Sequence, residues 1–228
     1  HLSIRRQRQM CIRDRMIRVL AMLKNLFIVM VLFIYAPNFA KGADLTQNDL
    51  DDISKIENYL NSISTFKSNF LQTASTGERS GGVIFLDRPG KMRVQYDEPS
   101  PILLVSDGSY VIYVEKNLEQ ISYFPIAQTP LRVLIEKDVD LQAWYKIKDI
   151  KRGPGTLRLT LIMKDDLSLG SVQLLFSDRP MQLRQWTIRD QQGIEVRVSL
   201  MDMQRGARFD PKLFEVDPNL FSNSNKEN

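Results

Sequence analysis

Gly81-Gly-Val-Ile-Phe-Leu-Asp-Arg-Pro-Gly-Lys-Met-Arg-Val-Gln-Tyr96, then Ser100-Pro-Ile-Leu-Leu-Val-Ser-Asp-Gly-Ser-Tyr-Val-Ile-Tyr-Val114, then Asn117-Leu-Glu-Gln120 decide how this chain is read. Short runs rich in β-branched and aromatic residues follow one another. They are separated by Arg88-Pro89-Gly90, Pro99-Ser100-Pro101 and Ser106-Asp107-Gly108. Pro fixes φ, Gly accepts positive φ, and Asp caps its own backbone, so the separators are turns. The stretch is a meander of antiparallel strands, and it needs something to cover its apolar side.

Outward from the meander the same grammar continues. Phe66–Thr73 is a strand before it; Gly82–Leu86, Lys91–Tyr96, Ile102–Val105, Tyr110–Glu115 and Glu119–Phe124 are the strands within it. After Gly153-Pro154-Gly155, Leu157, Leu159, Leu161 and Met163 share one face, and Val172, Leu174 and Phe176 repeat the pattern. Gln182–Arg189 and Ile194–Leu200 form a hairpin, with Ile194, Val196, Val198 and Leu200 inward. Phe209–Val216 is expected to close the domain as a turn and a short strand.

Helical periodicity is confined to a few places. Thr46 with Asp49 three residues on is a capping-box variant, and Leu50, Ile53, Ile56, Leu60 and Ile63 recur at helical spacing. Thr129-Pro130 reads as the N-cap and first residue of a short helix through Ile135. Asp140–Tyr145 reads as another helical turn or the lead into a strand. The expected fold is mainly β with some α. It is a single curved antiparallel sheet of about 10–11 strands, an unclosed β-barrel, covered by two or three helices.

The N-terminus reads as an export signal. Residues 1–15 carry five arginines and are read as an upstream or vector-derived segment. Residues 16–42 combine basic Arg18 and Lys24, the apolar run Leu26–Tyr35, and small residues at Ala40 and Gly42, the pattern of a secretory signal. The run is shorter than the roughly 20 apolar residues of a membrane span. The exported domain is then 43–228.

Removing that leader inverts the charge. Residues 1–42 hold eight Lys/Arg and one Asp, so 23 of 31 basic and 26 of 27 acidic residues remain, a net charge of −3. No nucleic-acid partner is expected of such a domain. The one Cys is Cys11 and the one His is His1. Disulfides, His or Cys catalysis and ordinary zinc sites are therefore not expected in 43–228, nor is a cofactor. Asp97 and Glu98 are adjacent, so in an extended strand they point to opposite faces and make a poor acid–base pair.

Four motifs in order resemble the LolA family of periplasmic outer-membrane lipoprotein carriers. They are Leu86-Asp-Arg-Pro-Gly-Lys-Met-Arg-Val-Gln-Tyr96, Leu104-Val-Ser-Asp-Gly108, Asn117-Leu-Glu-Gln-Ile121 and Gln128-Thr-Pro-Leu131. Phe66–Thr73 and Asp210–Val216 fit as well. The resemblance implies an unclosed β-barrel with a helical lid over a hydrophobic cavity that takes the acyl chains of lipoproteins. It implies release of cargo by an inner-membrane LolCDE-type ABC transporter and delivery to a LolB-type outer-membrane receptor. The carrier itself is expected to be a monomer and not an enzyme. The family's turn arginine, tied to lid closure and cargo handover, maps onto Arg88, and a position that is often aromatic is Met92 here. The segment before Thr129 is shorter than the family pattern.

Phe70, Phe85, Met92, Val94, Tyr96, Leu104, Tyr113 and Trp186 are the expected cavity wall, set against ordinary core packing. Runs such as Val83–Leu86 and Ile102–Val105 are apolar on both faces, which suits a sheet with a lid on one side and a lipid pocket on the other. A related lipid- or glycolipid-binding or lipid-sensing module of the same fold stands as the alternative.

Overall fold

The computed structural model describes residues 45–164, 170–217 and 220–221; the expected signal segment lies outside them. Helix α1, Gln47–Asn61, starts at the capping box read from sequence: the Thr46 hydroxyl accepts from the Asp49 amide while the Asp49 carboxylate accepts from the Thr46 amide. Its stripe of Ile53, Ile56 and Leu60 is buried against the sheet.

The sheet consists of β1 Thr65–Ala74, β2 Arg79–Asp87, β3 Lys91–Tyr96, β4 Ile102–Asp107, β5 Tyr110–Glu115, β6 Gln120–Pro125, β7 Tyr145–Gly153, β8 Thr156–Met163, β9 Ser171–Asp178, β10 Met181–Arg189 and β11 Glu195–Arg205. Every pairing is antiparallel, in the order β6-β5-β4-β3-β2-β1-β11-β10-β9-β8-β7. Two meanders are thus joined where the first strand meets the last. β6 and β7 are the two edges and do not pair, so the barrel is unclosed. Between them the chain recrosses the sheet through two short helices, α2 Arg132–Ile135 and α3 Leu141–Trp144.

The main core lies between this cover and one face of the sheet. It takes the inward Leu157, Leu159, Leu161, Val172, Leu174 and Phe176, as the alternation requires. α1 is fixed over it by specific polar ties. Arg152 of β7 bridges Asp52 at 2.6 Å and Asp49 at 2.8 Å. The Tyr59 hydroxyl accepts from the Leu183 amide at 2.9 Å, where a register shift interrupts the β9–β10 ladder. Asn61 clasps Val139 through both its amide and its carbonyl.

Three sequence expectations change here. Thr129 does not cap α2: its hydroxyl donates to the Ile126 carbonyl, and the helix begins only at Arg132. The closing segment Phe209–Val216 forms a 3-10 turn at Pro211–Phe214 and no strand. The second apolar face of β2 and β4 is covered by that returning C-terminal segment rather than by a lid. Leu103, Val105, Ile112 and Val114 form a separate cluster under Val216, Leu220 and Phe221.

Candidate functional site: an apolar cavity under a latched cover

The turn between β2 and β3 is built by two of the motifs acting together. Gly90 has φ +79°, and a Cβ there would stand 2.7 Å from the Gly108 Cα. Only glycine fits both the conformation and the approach. The buried Ser106 hydroxyl donates to the Gly90 carbonyl at 2.6 Å, while Asp107 accepts from the Ser109 and Tyr110 amides. Ser-Asp-Gly of the β4–β5 turn thus props up Arg-Pro-Gly of the β2–β3 turn.

That prop aims Arg88 at the cover. Its guanidinium donates to the Glu136 carbonyl through Nε (2.7 Å) and a terminal nitrogen, to the Lys137 carbonyl (2.8 Å), and to the Leu60 carbonyl at the end of α1, with Ile63 at 3.5 Å. A helix C-terminus leaves carbonyls unpaired and attracts cations, so the acceptors near α1 suit the donor. Burial pushes the Arg88 pKa down, opposed by the charges of Asp138 and Glu136. The Gly90 amide donates to the Ile135 carbonyl, adding a second tie to α2.

Beneath the cover lies a cavity of about 300 Å³. Seven of the eight predicted wall residues line it: Phe70, Met92, Val94, Tyr96, Leu104, Tyr113 and Trp186. β5 and β10 both contribute, although five strands stand between them in the sheet. At roughly 4.8 Å per strand a flat sheet would hold them nearly 30 Å apart, so the sheet curls around the cavity. Phe85 is the exception. It points to the outer face, edge-on to Phe209 at 5.6 Å with Lys67 over its ring, because its neighbours Ile84 and Leu86 take the inner positions.

The lining is apolar apart from Gln72 and the tyrosine hydroxyls, and these are satisfied. Tyr96 donates to Gln72 at 2.8 Å and Tyr113 to Glu115 at 3.1 Å. Burial, aided by Tyr113, pushes the Tyr96 phenol up to about 12, so it stays neutral. Phe70 and Tyr96 meet edge to face at 5.2 Å.

Sequence reasoning did not name Gln72, Ile84, Ile102, Leu131, Ile188, Val196 or Val198 for the wall, although Val196 and Val198 were read as facing inward. Strand parity would have supplied Ile102, since it lies two residues from Leu104, but not Ile84, because Val83–Leu86 is apolar on both faces. Leu131 comes from the cover, where no period applies. A hollow of similar size beside Arg152 is lined by Asp51, Asp52, Lys55 and Asp178, so its chemistry is polar. Among the described residues no cluster of His, Cys, Asp and Glu is arranged to hold a metal.

An unclosed antiparallel barrel with an apolar cavity under a latched helical cover has the geometry of a site for apolar groups. Residues 61–217 match the family model described as outer membrane lipoprotein carrier protein LolA, and the chain belongs to that family. An outer-membrane lipoprotein carrier protein of Methylococcus capsulatus is 27% identical over 189 residues, covering 79% of this chain and 88% of the relative. One from Nitrosomonas europaea is 27% identical over 181 residues, covering 73% and 84%. Among solved structures, a LolA superfamily protein of Nitrosomonas europaea overlaps with a TM-score of 0.44 at 10% identity, covering 72% of this chain and 97% of that one.

Proposed function

We propose that this protein is a periplasmic carrier that shelters the acyl chains of lipoproteins leaving a LolCDE-type transporter and delivers them to an outer-membrane acceptor of the LolB type. The observation that carries the reading is the cavity. Its wall is hydrocarbon and aromatic, its few polar atoms are internally paired, and its cover is tied through backbone carbonyls that accept from the Arg88 side chain.

Each methylene moved from water into such a wall gains about 0.8 kcal/mol, so acyl chains need no specific polar contact. The cavity is small for the task. At about 30 Å³ per water-sized group, 300 Å³ holds on the order of ten methylenes, less than two or three full acyl chains. Loading therefore displaces the cover, with Leu131 leaving the cavity and Arg88 giving up its carbonyls on α1 and beyond α2. The latch then favours the empty, closed form, which assists release. Transfer runs down an affinity gradient without nucleotide chemistry.

The test is native mass spectrometry of the exported form purified from periplasm without detergent, paired with titration of a fluorescent acyl probe. Co-purified acylated peptide or lipoprotein masses and displaceable probe binding are expected. A protein that is empty and also fails to bind the probe would mean that the cavity does not open, and the carrier reading would fall. Co-purified glycolipid alone would reassign the cargo.

A further inference from the structure

The two edges of the sheet are built differently. β7 carries Lys146, Lys148, Asp149, Lys151 and Arg152 and a register shift between Ile147 and Asp149. Charges and bulges are the usual protection of an edge against pairing with another chain. β6, Gln120-Ile-Ser-Tyr-Phe-Pro125, has no charged residue and no register shift, and among the described residues it pairs only with β5.

The backbone groups that β6 presents follow from the ladder. The Ile126 amide donates to the Ser109 carbonyl, so residues 126 and 109 are a hydrogen-bonded pair. Such pairs alternate in an antiparallel ladder, which turns the N–H and C=O of Phe124, Ser122 and Gln120 toward β5. The Lys116 amide donates to the Pro101 carbonyl on the other side of β5, which fixes the same parity independently. Ile121 and Tyr123 therefore point their amides and carbonyls away from the sheet. Apolar side chains flank this open ladder: Tyr123 is 60% exposed and packs against Tyr110 on the outer face, and Phe124 is 49% exposed on the face of the cavity.

We infer that β6 is a docking strand for the extended, uncharged peptide segment next to the acylated terminus of the cargo, which adds a twelfth strand through Ile121 and Tyr123. The inference rests on the carrier reading and adds to it a site for the polypeptide. Continuity with the cavity selects this occupant. Tyr113 lines the cavity and pairs with Ser122 across one strand spacing. A strand added to that edge lies about 10 Å from Tyr113, at two strand spacings, a reach of about three extended residues. A chain whose lipid sits in the cavity thus meets this edge as it leaves, and main-chain pairing tolerates many sequences, as a carrier of varied cargo requires.

The test compares two probes on the exported protein: palmitoyl amide, and an N-palmitoylated octapeptide of alternating Val and Ser. The octapeptide form is expected to bind about tenfold tighter and to slow hydrogen exchange at the Ile121 and Tyr123 amides. Tyr123→Pro removes an outward N–H without touching the β5 ladder, as edge positions allow. It is expected to erase the tenfold increment while leaving palmitoyl amide affinity unchanged. Tyr123→Lys, which keeps the backbone donor but adds an edge charge, serves if the proline variant fails to fold. Equal affinity for the two probes with unchanged exchange at both amides would overturn the docking strand alone. A concentration-dependent dimer lost in Tyr123→Pro would overturn it in favour of self-pairing. Failure of both probes to bind would remove the carrier reading and this inference with it.

Discussion

Arg88→Leu removes the latch while keeping an apolar side chain at the turn. The guanidinium makes close hydrogen bonds to the carbonyls of Leu60, Glu136 and Lys137. Hydrogen bonds involving a charged partner contribute about 1.5–3 kcal/mol each. Arg88 is only partly buried, and water reaches some of the released carbonyls, so the local loss is about 2–4 kcal/mol rather than the full sum. At 1.36 kcal/mol per factor of ten, opening of the cover becomes roughly 30- to 900-fold more frequent. Hydrogen exchange reads this directly: the amides of Arg132, Leu134 and Glu136, all bonded within the cover, speed up by that factor. Amides at the centre of the β1–β11 pairing stay as they were. Because the latch stabilises the empty closed form, its loss also raises the competent fraction and hence apparent acyl-probe affinity, while slowing transfer to acceptor vesicles. Unchanged exchange in the cover together with unchanged probe affinity would refute the latch.

Other perturbations probe separate links of the argument. The Asp49 carboxyl is held down to about 2, chiefly by the Thr46 hydroxyl and then by Arg152, against about 3.9 unfolded. A depressed acid stabilises the fold above pH 4 and loses that effect as pH falls toward 2. Asp49→Asn should therefore flatten this part of a thermal-midpoint profile between pH 2 and 5, and an identical slope in the variant would contradict it. Gly90→Ala places a Cβ against Gly108 at positive φ and should cost about 1–3 kcal/mol in chemical denaturation; a wild-type midpoint would show that the turn relaxes. Leu131→Asp puts a charge where the cover meets the cavity, from a half-buried site, and should favour displacement of the cover, raising apparent acyl-probe affinity with little change in thermal midpoint. Lowered affinity would mean that Leu131 stays in the cavity when the probe is bound.

Much of this molecule is local physics and is legible in one dimension. Capping at Thr46 and Asp49, the stripe of α1 and the turns at Arg88–Gly90 and Ser106–Gly108 need only nearest neighbours and backbone sterics. Alternation in β8 to β11 sorted most inward from outward side chains because one face there is polar; Ile194, read as inward, instead precedes β11 and is exposed, since it lies in the turn before the ladder begins. The cavity wall was legible to the same extent: Met92, Val94 and Tyr96 share a strand with polar Arg93 and Gln95 between them.

Elsewhere the one-dimensional signal is symmetric. Val83-Ile84-Phe85-Leu86 is apolar on both faces, so its parity alone cannot place Phe85. The returning Phe209 does, by offering a partner on the outside. The acceptors of Arg88 are main-chain carbonyls, which every residue possesses, so no residue type marks them. Leu131 enters the wall only because the chain recrosses from β6 to β7 over a curved sheet. The sequence by itself determined strands, turns, caps and most inward side chains, because these depend on neighbours along the chain. Which face encloses the cavity, what the latch grips and which edge stays open were decided by tertiary structure, because each depends on segments far apart in sequence meeting in space.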